Sequence, residues 1–312
     1  MSRSGRIKWL VVGAIIAIDA VGLAYCGIRL SLAGLEHGSG AIVLLAGTAA
    51  FYTFRRPDDR VVDLAHTAAL LLTLFAGAGV SSYLAAASDL PLTDAALSAA
   101  DRTLGFDWLA WFAWVQHHPA LWLALRLAYA SAIPQMVAIV SYLALSGQAE
   151  RNSELLWTLI LSLLVIVPIS ALLPAACPWV QYDAMRFADL REIHDFMAMR
   201  AGTLHVLDLS RLEGLITFPS FHTTLAVLFV YAVRHRRAPL VAAALFNIVM
   251  IVSVTTVGGH YLVDAIAGAA VAVGAICATA SLEAALARKS PQAALSRRPA
   301  EAIVAPDSPI LP

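Results

Sequence analysis

Charge is scarce in this chain. Only 13% of its 312 residues are Asp, Glu, Lys or Arg, and the 21 acidic and 21 basic side chains cancel. A soluble domain carries about 25% charged residues, and a chain with no net field has no general attraction for nucleic acid. Cysteine is also rare. Cys26, Cys177 and Cys277 are scattered, two of them in apolar runs, which excludes a disulfide framework. No Cys/His spacing resembles a zinc site, and Asp183, Asp189, Asp195 and His194 show no metal-ligand spacing either, so neither a metal nor a cofactor is expected. The apolar stretches are continuous rather than alternating, which argues against strands of a membrane barrel. Internal repeats and paired broken spans are missing too, and these would mark a transporter.

What remains is hydrophobic: 60% of the residues. That much apolar surface calls for a bilayer, and a span needs about 20 mostly apolar residues. Eight candidate spans follow, near 8–33, 38–54, 61–87, 120–146, 155–175, 222–234, 239–258 and 261–283, the second and sixth of them short. The expected fold is therefore all-α, a polytopic membrane helix bundle of about eight transmembrane helices. The first run is too long for a signal peptide and reads as a retained span. Arg3, Arg6, Lys8, Arg55, Arg56, Arg60, Arg151, Arg234, Arg236 and Arg237 fall on one side of these spans; Arg102, Arg186, Arg191, Arg200 and Arg211 fall on the other. The positive-inside rule puts both termini in the cytoplasm. Short loops and a compact chain suit a bacterial inner membrane. Two long loops lie on the far, periplasmic side. Residues 88–119 hold Trp108, Trp111 and Trp114, an amphipathic stretch suited to the interface, and residues 176–221 hold most of the polar variety. Tyr261 is likewise expected at the interface. The proline-rich tail 286–312 reads as disordered.

Two short elements carry chemistry. Phe218-Pro219-Ser220-Phe221-His222 stands where the second long loop enters the sixth span, and Gly258-Gly259-His260-Tyr261-Leu262-Val263-Asp264 where the seventh turns into the eighth. The derived topology places both on one membrane face. His260 and Asp264 are four apart, so a helix would set them on one side, where the carboxylate can orient the imidazole and stabilise its cation. The other ring nitrogen could then attack phosphorus, and His222 could protonate the leaving alkoxide. Ser220 and the amides at the start of the sixth span could hold phosphate oxygens, while Gly258 and Gly259 allow close backbone approach. A carboxylate just inside a span is costly unless it works. Other ionisable residues cluster at one face rather than through the membrane.

These residues resemble a known family. Pro219-Ser220-Phe221-His222, and Ser253 followed by His260 and Asp264, are similar to the second and third signatures of the type 2 phosphatidic acid phosphatase superfamily. The resemblance implies a six-helix core, here residues 61–285 with two additional N-terminal helices in 1–60, and a metal-independent reaction. His260 would be the nucleophile, Asp264 its orienter and His222 the general acid and base. Two departures stand out: Val254 occupies the place of a signature arginine, and the lysine and Arg-Pro pair of the first signature are absent. Instead, Leu173-Pro174-Ala175-Ala176-Cys177-Pro178-Trp179, Leu104-Gly105-Phe106-Asp107-Trp108 and Tyr129 to Gln135 look like the subgroup of inositol phosphorylceramide synthases. That favours phospho-head-group transfer between membrane lipids over simple lipid phosphate hydrolysis. The missing cations leave transition-state charge uncompensated, with Arg126 the first substitute and Arg211 the second. The competing classes are a transporter using the same histidines and an inactive scaffold.

Overall fold

The computed structural model describes residues 3–187 and 190–288. Its helices are α1 (Arg3–Cys26), α2 (Leu32–Phe54), α3 (Asp59–Ala86), α4 (Asp94–Thr103), α5 (Trp108–Gln116), α6 (Pro119–Ala130), α7 (Ala132–Leu145), α8 (Ala149–Leu172), α9 (Pro178–Gln181), α10 (Leu190–Arg200), α11 (Phe221–Ala232), α12 (Arg237–Val254) and α13 (Leu262–Arg288). The only strands among the described residues are β1 (Arg29–Leu30) and β2 (Val206–Leu207), paired in parallel. A helix satisfies its own backbone polar groups, as hydrocarbon demands.

The chain is an all-α membrane helix bundle. Five helices are long and apolar enough to cross a bilayer, six if α6 and α7 count as one bent span. Gly38–Phe54 and Phe221–Ala232 are apolar but shorter, the same two segments that read short in the sequence. The fourth expected span breaks by 49° between α6 and α7. Pro134 has no N–H for the carbonyl of Ala130, which accounts for a break at Ser131. The first expected span also ends early. Gly27 takes φ +69°, and Arg29 and Ser31 then donate to the carbonyls of His205 and Leu207 at 2.9 Å, so residues 28–31 belong to a loop contact and α2 starts at Leu32. The tail expected to be disordered from 286 is still helical in α13 through Arg288, and its residues from 289 onward lie outside the described residues.

The core sits among α3, α7, α8 and α11, where Leu74, Leu143, Leu159, Ile160, Leu228 and Phe229 are fully buried. Helix α1 packs on α3 and α8. At the end away from the histidines, Arg234 pairs with Glu154 at 2.7 Å and Lys8 donates to Ser153 Oγ at 2.6 Å.

At the histidine end the loops fold back as a cap rather than lying on the interface. Trp108 is fully buried, stacked on Phe112 at 4.8 Å and on Tyr182 at 5.4 Å, whereas Trp114 stays half exposed. Tyr261, expected as an interface anchor, is fully buried as well, and its hydroxyl donates to Asp94 Oδ1 at 2.9 Å. The burial of Tyr261 traces to α4, where Asp94 and Asp101 stand seven apart on one helical face, both buried. Asp94 also accepts from the amides of Ala176 and Cys177 at 2.9 Å each. Asp101 accepts from Leu262 and Val263, the first two amides of α13, again at 2.9 Å each. Those amides have no partner within their own helix, and a carboxylate there also meets the positive end of the helix dipole.

Removing that acceptor should be felt. Asp101→Ala should destabilise the protein by about 1–2 kcal/mol, the usual cost of losing a helix N-cap, with Asp101→Asn intermediate. A thermal unfolding midpoint in detergent that stayed unchanged for Asp101→Ala would refute the assignment.

Candidate active site

Helices α11 and α13 bring the two motifs together. Ser220 caps α11, its Oγ accepting from the Thr223 amide at 3.3 Å, and its own N–H donates to the backbone carbonyl of Asp264 at 3.0 Å. One turn on, Thr224 Oγ1 donates to the carbonyl of Gly268 at 2.9 Å. Gly268 has to be glycine for this packing, since a Cβ there would come 2.2 Å from the carbonyl oxygen of Ser220.

His260 ends the turn after α12 and is 4% exposed. Its Nδ1 lies 2.8 Å from the carbonyl oxygen of Thr217 and 3.3 Å from Asp264 Oδ2. A carbonyl and a carboxylate can only accept. Nδ1 is thus assigned the hydrogen, and in the neutral ring Nε2 keeps its lone pair. The backbone carbonyl is the nearer of the two orienting groups, and spacing along the chain gave no hint of it. Asp264 is fully buried, and its Oδ2 also accepts from the Tyr261 amide at 2.8 Å. This N3 carboxylate reaching back to the N-cap amide is half of a capping box. Its Oδ1 has no hydrogen-bond partner among the described residues.

His222 stacks on Tyr129 of α6 with ring centroids 3.9 Å apart. The same tyrosine closes on the second motif: a Cβ at Gly258 would come 2.6 Å from its ring. Gly259 takes φ +59°, and a Cβ there would come 2.7 Å from Trp179. Both glycines permit a close approach, and the groups that approach are aromatic rings.

His222 and His260 line one cavity of about 780 Å³. Arg126 of α6 lines it too and makes no hydrogen bond or ion pair among the described residues. Glu192 and Glu213 reach the same space, and Phe75, Met136 and Leu163 form an apolar wall. Val254, in place of the expected arginine, is fully buried, and its carbonyl accepts from the His260 amide at 3.0 Å. Helix α6 packs directly on α12, so Arg126 brings a guanidinium from the neighbouring helix. Two sequence candidates stand apart. Arg211 is exposed, does not line the cavity, and its carbonyl accepts from Arg191 at 3.1 Å. Ser220 is fully buried, and its hydroxyl is taken up in capping. Burial pushes the Cys177 thiol up to about 12, so it is no thiolate nucleophile at neutral pH. Among the described residues no group of His, Cys, Asp or Glu could hold a metal ion.

A membrane helix bundle with a two-histidine cavity under a folded loop cap is the architecture these residues define. Residues 95–278 of the 312 match the PAP2 superfamily, and the chain belongs to it. Membership supports a phosphoesterase of the lipid phosphatase type. No curated protein and no solved structure matches the chain.

The contact between Gly258 and Tyr129 can be tested directly. Gly258→Ala should destabilise by about 1–3 kcal/mol through overpacking, and Tyr129→Ala in the same chain should remove most of that cost. Additive effects on the unfolding midpoint would show that the two positions do not meet.

Proposed function

We propose that the protein is a metal-independent lipid phosphoesterase working through a phosphohistidine, and that it transfers a phospho-head-group between lipids. The observation that carries the reading is that His222, His260 and Arg126 face one cavity while both partners of His260 Nδ1 are acceptors.

In the first step the Nε2 lone pair of His260 attacks phosphorus. The bond to the ester oxygen breaks, and protonated His222 gives its proton to the departing alkoxide. Nδ1 stays hydrogen-bonded to Thr217 while Asp264 offsets the charge of the phosphorylated ring. In the second step an incoming hydroxyl gives its proton to His222 and attacks phosphorus, and the P–N bond breaks to free His260. If the hydroxyl belongs to a lipid, the product is a new ester; if it belongs to water, the product is phosphate or a phosphomonoester. Arg126 supplies positive charge where the phosphoryl oxygens gather it. Ser220 holds the start of α11, and so His222, in place. A cavity of this size suits one head group with the upper part of its chains, which fits a double displacement with one lipid at a time. The periplasmic face is the proposed side, from the distribution of basic residues.

The resemblance to inositol phosphorylceramide synthases favours transfer, and simple hydrolysis is the second reading. Purified protein in chelator, given lipid phosphates and phosphodiesters with a lipid alcohol, decides between them: a new phosphodiester means transfer, and free phosphate means hydrolysis. His260→Ala should abolish both. Arg126→Ala should lower kcat/KM roughly 10²-fold, the scale of one lost oxyanion donor. Asp264→Asn should keep measurable turnover, because the Thr217 carbonyl still holds Nδ1–H. Turnover that survives His260→Ala, or that needs divalent metal, would overturn the scheme.

A further inference from the structure

Helix α1 carries a carboxylate where a bilayer offers no water, although the ionisable residues were expected to gather at one face. Asp19 stands seven residues before the end of α1, roughly 10 Å along the axis from Cys26. It is 4% exposed. Oδ1 accepts from Ser81 Oγ of α3 at 2.7 Å, and Oδ2 has no hydrogen-bond partner among the described residues. A Cβ at Gly77 would stand 3.5 Å from Oδ2. The carboxylate lines a cavity of about 170 Å³ with Ser81, Ala78, Leu163, Leu164 and Pro168. Pro168 lies inside α8 and has no N–H for the carbonyl of Leu164 one turn back. The polar groups offered here are therefore acceptors. Ile18 and Leu164 on the rim are 70% and 45% exposed, so the opening faces lipid. Ala78 and Leu163 line the histidine cavity too, which makes the two spaces neighbours.

A carboxylate inside a membrane-spanning helix is costly. A bond to one serine leaves half of it unused. We propose that Asp19 and this cavity form a lipid-binding site for a hydrogen-bond donor, a hydroxyl carried near the head end of a membrane lipid's chain. The lipid is either the reacting one or a bystander, and binding does not depend on the reaction proposed above.

The test uses the full chain in lipid nanodiscs and a hydrophobic carbodiimide, which reacts with carboxyl groups in apolar surroundings; modification of Asp19 is read by peptide mass spectrometry. A lipid phosphate with a hydroxyl near the head of its chain should slow labelling several-fold, and its deoxy twin should not. A second arm uses a hydroxylated lipid with an uncharged, unreactive head group. Protection by both hydroxylated lipids means any such lipid binds, and protection by the phosphate alone means the reacting lipid binds. Running both arms in His260→Ala separates this site from turnover. Equal protection by hydroxylated and deoxy lipids, or by neither, would overturn the proposal and leave a structural carboxylate that holds Ser81 or a buried water.

Discussion

Helix α13 begins under protein rather than in water, so its first amides need acceptors brought to them. Two carboxylates meet that need: Asp101 takes the amides of Leu262 and Val263, and Asp264 takes that of Tyr261. The rest of the site hangs on this start. Because Asp264 is committed to the N-cap, its Oδ2 is fixed 3.3 Å from His260 Nδ1. Because its carbonyl holds Ser220, α11 begins at the same level and presents His222 to the same cavity. One helix terminus thus sets the position of both imidazoles. Anionic caps at a helix start are favourable in themselves, which lets the fold keep buried acids beside a site proposed to take a negatively charged substrate.

That last combination sets the electrostatic problem. Asp94, Asp101 and Asp264 are all buried near the histidines, and Glu192 and Glu213 line the cavity. The buried acids spend their charge on backbone donors, whereas Arg126 has no internal partner among the described residues and faces the cavity. A guanidinium so placed is available to an entering phosphate, and its planar donor fork matches phosphate oxygens. Helix α6, which carries it, also carries Tyr129 against His222 and Gly258, so one helix supports the charge and the proposed acid together.

Much of this was legible in the sequence, and the reasons are local. Helices were visible because hydropathy is a property of contiguous residues. His260 and Asp264 were visible as a closely spaced pair, but His260 precedes the start of α13, so the capping carboxylate rather than a shared helix face brings them together. The fold adds that His222 shares the cavity of His260. What could not be read depends on partners far along the chain. Asp94 and Asp101 look like ordinary acids of a loop helix until Cys177 and Leu262 are placed beside them, though two acids seven apart among small apolar residues were the available signal. The Thr217 carbonyl has no sequence signature at all. Tyr261 and Trp108 misled because aromatic residues near a membrane boundary usually face the interface, and here acids and rings of the cap enclose them. Asp19 was passed over in the expectation that ionisable residues gather at one face, although a lone acid in an apolar run was the available signal. Its pairing with Ser81 and the space beside Pro168 had no such signal.

The chemistry proposed for this cavity does not itself distinguish water from a lipid alcohol, since both deliver a hydroxyl to the same phosphorus. The choice therefore belongs to access rather than to the histidines. At the capped end Trp179 and Glu213 line the cavity, and Glu213 is paired with Arg191 at 3.9 Å. A lipid meets an apolar wall of Phe75, Met136 and Leu163 that continues the bilayer's own chemistry. Under the proposed transfer, such a lining would favour a lipid hydroxyl over water by geometry alone, with no change in the reacting groups. On that argument the residues that separate a transferase from a phosphatase lie in the cap and the apolar wall, and they would diverge among relatives that keep the same two imidazoles.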